Sequence, residues 1–416
     1  MAIRLRAHAV AVAAFLLGST SASREALAAP ADCDLLPNPI YVTGSSASQP
    51  FLAAIGALLY AAPEPISIIY ESGQASCVGV DSQISGRAVN TTVQFWTPGA
   101  DAGQIVQGTC SPNNKTVTLG VSDVFPTSCP NVSADDLAGI GDFHGPIQAM
   151  TFVTSRAAIQ VSNISAEAAY LTMGKAAKVP ELPWNNPDKI IIRDETSGTQ
   201  TMLGKAIRLP ASSWIASTHY TTSGLLIGAL QTAVNGPNPE QVLGILAETD
   251  VFAADSSGTI HSDFKILAFQ PWGKQCAFLP DSSPTQHDRA NVRNGNYEVF
   301  GPLHFLTKVD ADGTPVDPAV AKFLRYITLV DPVPGYPTAV IDTAIQRYDV
   351  PQCAMSVTRD GEVNEAPIKS YTPDKPCNCY YDSVVTHTDC TPCGDANPCK
   401  DSNAICSYGY CETRSP

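Results

Sequence analysis

Between about Pro39 and Gln346, short β-rich apolar runs alternate with segments whose apolar residues recur at helical spacing. That is the pattern of strands and amphipathic helices in α/β layers. In IYVTGSSASQPFLAAIGALLY, Ile40 to Val42 read as a strand and the small residues after them as a loop. Phe51, Leu52, Ile55, Leu58 and Leu59 then form one face of a helix, with Pro50 in its first turn and Pro63 closing it. KIIIRDETSGTQTMLGKAIRLP repeats the order, with Met202, Leu203, Ile207 and Pro210 in the corresponding parts. Gly204 costs that second helix about 1 kcal/mol against alanine. PISIIYESG and TVTLGVSDVF predict two more strands, ending in Ser72-Gly73 and Ser122-Asp123. Ligands of open α/β sheets gather at the carboxyl ends of strands, and each of these ends carries hydroxyls.

After about Pro351 the pattern stops. The stretch from Lys369 onward is rich in cysteine and poor in aliphatic residues, so it predicts a small module held by bridges rather than by a core. Cys393, Cys399, Cys406 and Cys411, ending in YGYCE, resemble half of an EGF-like module. Cys390 and Cys393 lack a second metal-binding pair, which favours bridges over zinc. Of 13 cysteines, six lie between Cys33 and Cys353 and seven between Cys377 and Cys411, so at least one is unpaired or joined to another chain. The expectation is that reduction unfolds the tail while the rest of the chain depends less on its bridges.

The 416 residues, 44 % hydrophobic and 15 % charged, suffice for two ordinary cores. Arg4 and Arg6, the apolar run Ala9 to Leu17 and the small-residue site Ala26-Leu27-Ala28 read as a secretory signal. No later run approaches the roughly 20 apolar residues of a membrane span. Pro30-Ala31-Asp32 before Cys33 is not a lipid-attachment box. Removal of residues 1–28 leaves 22 basic and 38 acidic residues, a net charge of −16 that repels nucleic acid and anionic membranes.

Candidate chemistry concentrates at RDETSGTQTM, residues 193–202. A helix amino terminus has unpartnered N–H groups and a partial positive charge, and so suits an anion. Ser197 and Thr199 add hydroxyls, Gly198 admits close approach, and Arg193 offers a planar fork of donors. The plainer reading makes Thr196 or Ser197 an N-cap and pairs Arg193 with Asp194 or Glu195 at the surface. No lysine follows Gly198 as in a nucleotide-binding P-loop, and no G-x-S-x-G hydrolase elbow is present. Histidines 144, 219, 261, 287 and 304 show no metal-ligand spacing, and the near-copy DSSGT at 255–259, which lacks the arginine, reads as a turn.

Taken in order, these loops resemble those of the phosphate-binding proteins of bacterial ABC transporters, a family of periplasmic two-lobed solute-binding proteins. That family's first loop reads like T-G-A-G-A-T-F-P, against TGSSASQP here; the third like G-A-S-D-A-P, against GVSDVFP; the fourth like R-x-D-G-S-G-T, against RDETSGT. GPIQAMTFVTS through WNNPDKIII is similar to its crossing segment, and NYEVFGPLHFLTKV to its return crossing, so the resemblance spans roughly residues 39–350.

The resemblance implies an α/β protein with the two-lobed periplasmic-binding-protein fold and two hinge crossings, extended here by a small C-terminal disulfide-rich module. Lobe one is expected at 33–147 and 303–352, lobe two at 148–302, and the module at 371–416, behind the signal at 1–28. It implies that Ser48, Ser72, Asp123, Arg193, Ser197, Gly198 and Thr199 hold phosphate. The second loop departs most, because Glu71 would repel an anion if it faced inward. Asp123 can accept a bond only from a ligand that carries a proton, which favours phosphate over sulfate. The implied role is phosphate capture for ABC-type uptake, in the periplasm or outside the cell, with a transporter permease as partner. No cofactor, metal, nucleic acid or catalysis is expected. The alternative is an extracellular interaction protein that docks through its cysteine-rich tail.

Overall fold

The computed structural model describes residues 31–101, 103–175, 183–252 and 263–413. The signal-like segment and the DSSGT near-copy lie outside the described residues. The strand Pro39–Gly44 runs parallel to Ser67–Glu71 on one side and to Leu119–Ser122 on the other. These strands are almost wholly buried, and strands covered on both faces need near-continuous apolar runs rather than alternation. An antiparallel pair, Val93–Pro98 with Ile105–Ser111, extends the sheet beyond Ser67–Glu71.

Two long antiparallel strands, Ile140–Ser155 and Phe300–Lys308, occupy the middle of the same 12-stranded sheet. The return strand pairs through His304 to Leu306 with Leu119–Ser122. The first crossing strand pairs through Met150 to Thr154 with Leu243–Ala247, beyond which lie Ile190–Arg193 and His219–Tyr220. The chain thus passes between two α/β lobes on these strands, and Val350 bridges to Ile147 beside them. Two lobes joined by two crossings is the arrangement expected from the sequence.

Two large apolar clusters centre on the two lobes, and the one in the second lobe continues across the junction to Ala47, Cys77, Val80 and Val124. Helix α1 (Gln49–Tyr60) buries Phe51, Leu52, Ile55 and Leu59 against Phe305, Phe323 and Leu324. Pro50 sits in its first turn, where a missing N–H costs nothing. Helix α2 (Ser76–Ser85) packs over the ends of the parallel strands, where Gly79 lets it touch them: a Cβ there would lie 2.5 Å from the Val121 carbonyl oxygen. In the other lobe, α3 (Ala166–Lys175), α4 (Gly198–Ala206) and α5 (Ser223–Val234) cover a core that includes Met173, Leu203, Leu230, Phe152 and Ile245. Gly204 stands in α4 because the chain turns back on the helix there; a Cβ would lie 2.8 Å from the Leu209 carbonyl oxygen.

The C-terminal segment does not hang from a free tether. Cys353 is bridged to Cys377, and between them Arg359 donates to the carbonyls of Glu298 and Phe300 on the return crossing. Glu362 accepts from the Phe125 amide at 3.1 Å, Asn364 donates to the Lys205 carbonyl at 2.8 Å, and Glu365 pairs with Lys205. The segment between Cys353 and Cys377 therefore touches the Phe125 loop of the first lobe and helix α4 of the second. Beyond it, Cys379–Cys390, Cys393–Cys406 and Cys399–Cys411 staple the tail. The seventh tail cysteine reaches back to Cys353, so the unpaired thiol is the exposed Cys276.

Candidate functional site

Three strand ends in the first lobe converge on Asp123. Gly44 has φ +130° and a Cβ on it would lie 2.0 Å from the Val121 carbonyl oxygen, so only glycine lets the first loop leave its strand here. Ser45 then donates its hydroxyl to Asp123 Oδ1 at 2.5 Å and accepts from the amides of Ala47 and Ser48 at 3.2 Å. Ser76, the first residue of α2, donates to Asp123 Oδ2 at 3.0 Å. Burial raises the Asp123 carboxyl above its ordinary value, against the hydroxyls of Ser45 and Ser76 and the charge of Arg193.

The second lobe supplies the positive charge. Arg193, at the end of its strand and only 3 % exposed, donates Nε to the Tyr220 carbonyl at 3.0 Å, Nη1 to Ser223 Oγ at 3.1 Å and Nη2 to the Thr221 carbonyl at 2.7 Å. Three of the five guanidinium N–H groups are thereby fixed, which leaves one on each Nη. Ser197 caps α4, accepting from the Gln200 amide, so the free amides of the helix's first turn face the same corner. Asp250, from the short helix Glu248–Phe252, lies near both charges. Its carboxyl is buried, pushed up to about 7 by desolvation, and its Oδ2 has no hydrogen-bond partner among the described residues.

The lobes touch at this point. The Cys77 amide donates to the Thr196 carbonyl at 3.1 Å, and the Ser223 amide donates to Ser46 Oγ at 3.1 Å. Gly198 faces Asp123 so closely that a Cβ would lie 2.4 Å from Ser76 Oγ and 2.9 Å from Asp123 Oδ2. The arrangement is closed, with a carboxylate and hydroxyls on one wall and a guanidinium and a helix amino terminus on the other.

Among the residues named from sequence, Asp123, Arg193, Ser197, Gly198 and Thr199 are buried at this junction. Arg193 is not a surface partner of Asp194, whose carboxylate instead accepts from Thr196. Ser48 is buried, but its hydroxyl donates to the Ser45 carbonyl at 2.8 Å, and Ser45 holds the inward position. Ser72 is exposed and joins none of these contacts, its place being taken by Ser76. Glu71 points away from the site into a pair with Arg87, at 2.6 and 2.7 Å. Ser223 and Asp250 were missed. Thr222-Ser223 before an apolar helix was a readable cap, whereas nothing in the run AETDVF marks Asp250 as facing Arg193.

The sequence matches no family model and no curated protein. Its structure is similar to that of a putative phosphate ABC transporter substrate-binding protein with bound phosphate from Clostridium perfringens, at 12 % identity over 76 % of this chain and 99 % of that one, with a TM-score of 0.48. An ABC-type phosphate transport receptor from Vibrio cholerae gives 14 % identity over 75 % and 99 %, with a TM-score of 0.45. The reduced OxyR regulatory domain from Pseudomonas aeruginosa gives 12 % over 70 % and 98 %, with a TM-score of 0.34. At these values nothing about ligand or partner passes from those proteins to this chain.

Proposed function

We propose that this is an exported solute-binding protein that captures inorganic phosphate between its lobes. The observation that carries the reading is the meeting of Arg193, with two N–H groups to spare, and the α4 amino terminus against Ser45, Ser76 and Asp123 of the opposite lobe. Short, fixed donors outweigh the protein's net negative charge, because surface charges act over only about 8 Å at physiological salt. Asp123 and Asp250 put two buried carboxyls beside the guanidinium. A tetraoxyanion that carries a proton can donate to them, and phosphate does so near neutral pH. Sulfate cannot, and meets repulsion from either carboxyl where it is ionised.

Six disulfides fit an oxidising compartment. Among the described residues no helix is long and apolar enough to cross a membrane. Delivery to an ABC-type permease is the role that suits a closing two-lobed carrier. The tail-docking alternative gains no observation of its own, because Tyr380 and Asp382 are engaged with the protein's own Asp342 and Arg293.

Isothermal titration at neutral pH is expected to give a phosphate dissociation constant at or below about 1 μM, near −8 kcal/mol, and no heat with sulfate. Absence of both heat and a thermal shift with phosphate would overturn the reading.

A further inference from the structure

A second cluster of ligating side chains lies on the crossing strands. Asp142 and His144, two apart on the first crossing, share a face, and strand pairing sets His304 of the return crossing directly opposite His144. His304 Nδ1 lies 2.9 Å from both Asp142 oxygens, and His144 Nε2 lies 3.6 Å from Asp142 Oδ2. The ligand atoms of all three fall within 4.8 Å of one another. From these positions we infer that Asp142, His144 and His304 form a binding site for a divalent first-row transition ion of the zinc class.

Zinc bonds of about 2.0–2.1 Å to nitrogen and oxygen put neighbouring ligand atoms about 3.4 Å apart along a tetrahedral edge. The observed 2.9 and 3.6 Å bracket that edge for two of the three ligand pairs, and the third pair lies within 4.8 Å, so modest side-chain rotations bring the three ligand atoms to three corners. Two imidazoles and one carboxylate are donors that such ions prefer over calcium or magnesium. His304 Nδ1–H donates to the Asp142 carboxylate; a bound cation would displace that proton, and Nε2, which has no partner among the described residues, would then carry the ring proton. Phe125 packs at 4.5 Å from the His304 ring and 6.0 Å from that of His144, holding both imidazoles in place. His304 is fully buried, whereas the side chains of His144 and Asp142 are 40 % and 28 % exposed. The fourth corner therefore faces outward, beside a cavity of about 200 Å³ lined by His144, Gln352, Arg359 and Tyr371. Linear spacing hides this set, since 160 residues separate the two histidines and only the strand register unites them.

The test is a zinc titration of the full-length, chelator-stripped protein in phosphate-free buffer, read by competition with a chromophoric chelator. One equivalent is expected to bind with a dissociation constant at or below about 1 μM. His144→Gln, at a half-exposed position where folding is not at stake, is expected to weaken it about thirtyfold or more. Cys276→Ser and Arg193→Ala are expected to bind zinc as the parent does, which separates this site from a stray thiol ligand and from the anion cleft. X-ray absorption of the loaded protein is expected to show nitrogen and oxygen neighbours without sulfur. No saturable equivalent tighter than about 100 μM, His144→Gln within threefold of the parent, or loss of binding in Cys276→Ser would each overturn the proposal.

Discussion

The two walls of the cleft are built differently. The second lobe draws Arg193, Ser197, Gly198 and Thr199 from one strand–helix junction, so a single local geometry fixes them all. The first lobe assembles Ser45, Ser76 and Asp123 from three loops, each following a different parallel strand. A wall of the first kind depends on the helix and strand that carry it. A wall of the second kind depends on what keeps three loops in register: Gly44 against Val121, Gly79 against the strand ends, and the Cys77–Cys129 bridge next to Ser76.

If the second lobe supplies the charge, its arginine is the most costly residue to remove. Arg193→Ala is expected to weaken phosphate binding about a hundredfold or more, the usual scale for truncating one partner of a buried charge contact. Arg193→Lys is expected to recover little, because one ammonium cannot replace a fork already spent on Tyr220, Thr221 and Ser223. Titration calorimetry with an unfolding control measures both, and parent-like affinity in Arg193→Ala would remove the distinction between the walls.

Gly198→Ala tests how tightly the walls must meet. Its Cβ would press on Ser76 and on Asp123 of the opposite lobe. The expected result is roughly tenfold to hundredfold weaker binding, a loss of about 1.4 to 2.8 kcal/mol, with the thermal stability of the lobes retained. Small-angle scattering in saturating phosphate should then show a more extended particle than the parent. A closed, tight-binding Gly198→Ala would mean that the contact is not needed for capture.

The same contrast accounts for what could be read beforehand. The fold was legible because the parallel strands are continuous apolar runs and α1 keeps its helical period, with Phe51, Leu52, Ile55 and Leu59 facing the core as spaced and Leu58 only partly buried. The Arg193 corner was legible because its residues are contiguous. In the first lobe the strands were placed correctly, but the inward hydroxyls belong to Ser45 and Ser76 rather than to Ser48 and Ser72. In SSAS the choice turns on how the Ser45 hydroxyl caps two following amides. In YESGQASC it turns on Gly73, at φ +85°, which bends the chain outward so that α2 begins only at Ser76. Neither choice leaves a periodic trace. The packing of the segment between Cys353 and Cys377 was not legible, because its buried Arg359 and Glu362 find their partners on Phe300 and Phe125, far away in sequence.

Bridges should therefore matter to one wall more than to the other. Cys77–Cys129 ties the start of α2 to the loop that follows Asp123, while the described part of the second lobe contains no disulfide. Replacing Cys77 and Cys129 together by alanine is expected to cost about tenfold in phosphate affinity, or 1.4 kcal/mol. Loss of the three tail bridges should unfold residues 378–413 and leave affinity nearly unchanged. Equal losses from the two interventions would break the contrast.

Acidity offers a gentler probe of the second wall. The Asp250 carboxyl, raised by burial to about 7 from an ordinary 3.8, favours the protonated form in the folded state. The stability it contributes is complete below about pH 4 and is lost as pH rises through 7. An asparagine in its place would not titrate. The melting temperature of Asp250→Asn minus that of the parent is therefore expected to grow by at least about 3 °C between pH 5 and pH 8 in phosphate-free buffer. Other buried carboxyls, including Glu248 and Asp349, shift both proteins alike and cancel in the difference. A flat difference would mean that Asp250 ionises freely beside Arg193.

The smallest effects separate neighbouring serines of the first wall. Ser76→Ala removes a donor to a buried carboxylate and leaves Asp123 Oδ2 with one hydroxyl fewer. Its expected cost is a few-fold to about tenfold in phosphate affinity, in line with about 1 kcal/mol for a buried hydrogen bond. The lost bond also leaves the ionised form of Asp123 less supported, so the deficit should widen as pH rises. Ser72→Ala, four residues earlier and exposed, should bind phosphate as the parent does at every pH. Ser45→Ala should resemble Ser76→Ala with a somewhat larger loss, because the Ser45 hydroxyl also orders the amides of Ala47 and Ser48. If Ser72→Ala proved the costlier change, the second loop would have to rearrange on binding, and the first wall would be finished by the ligand rather than built before it arrives.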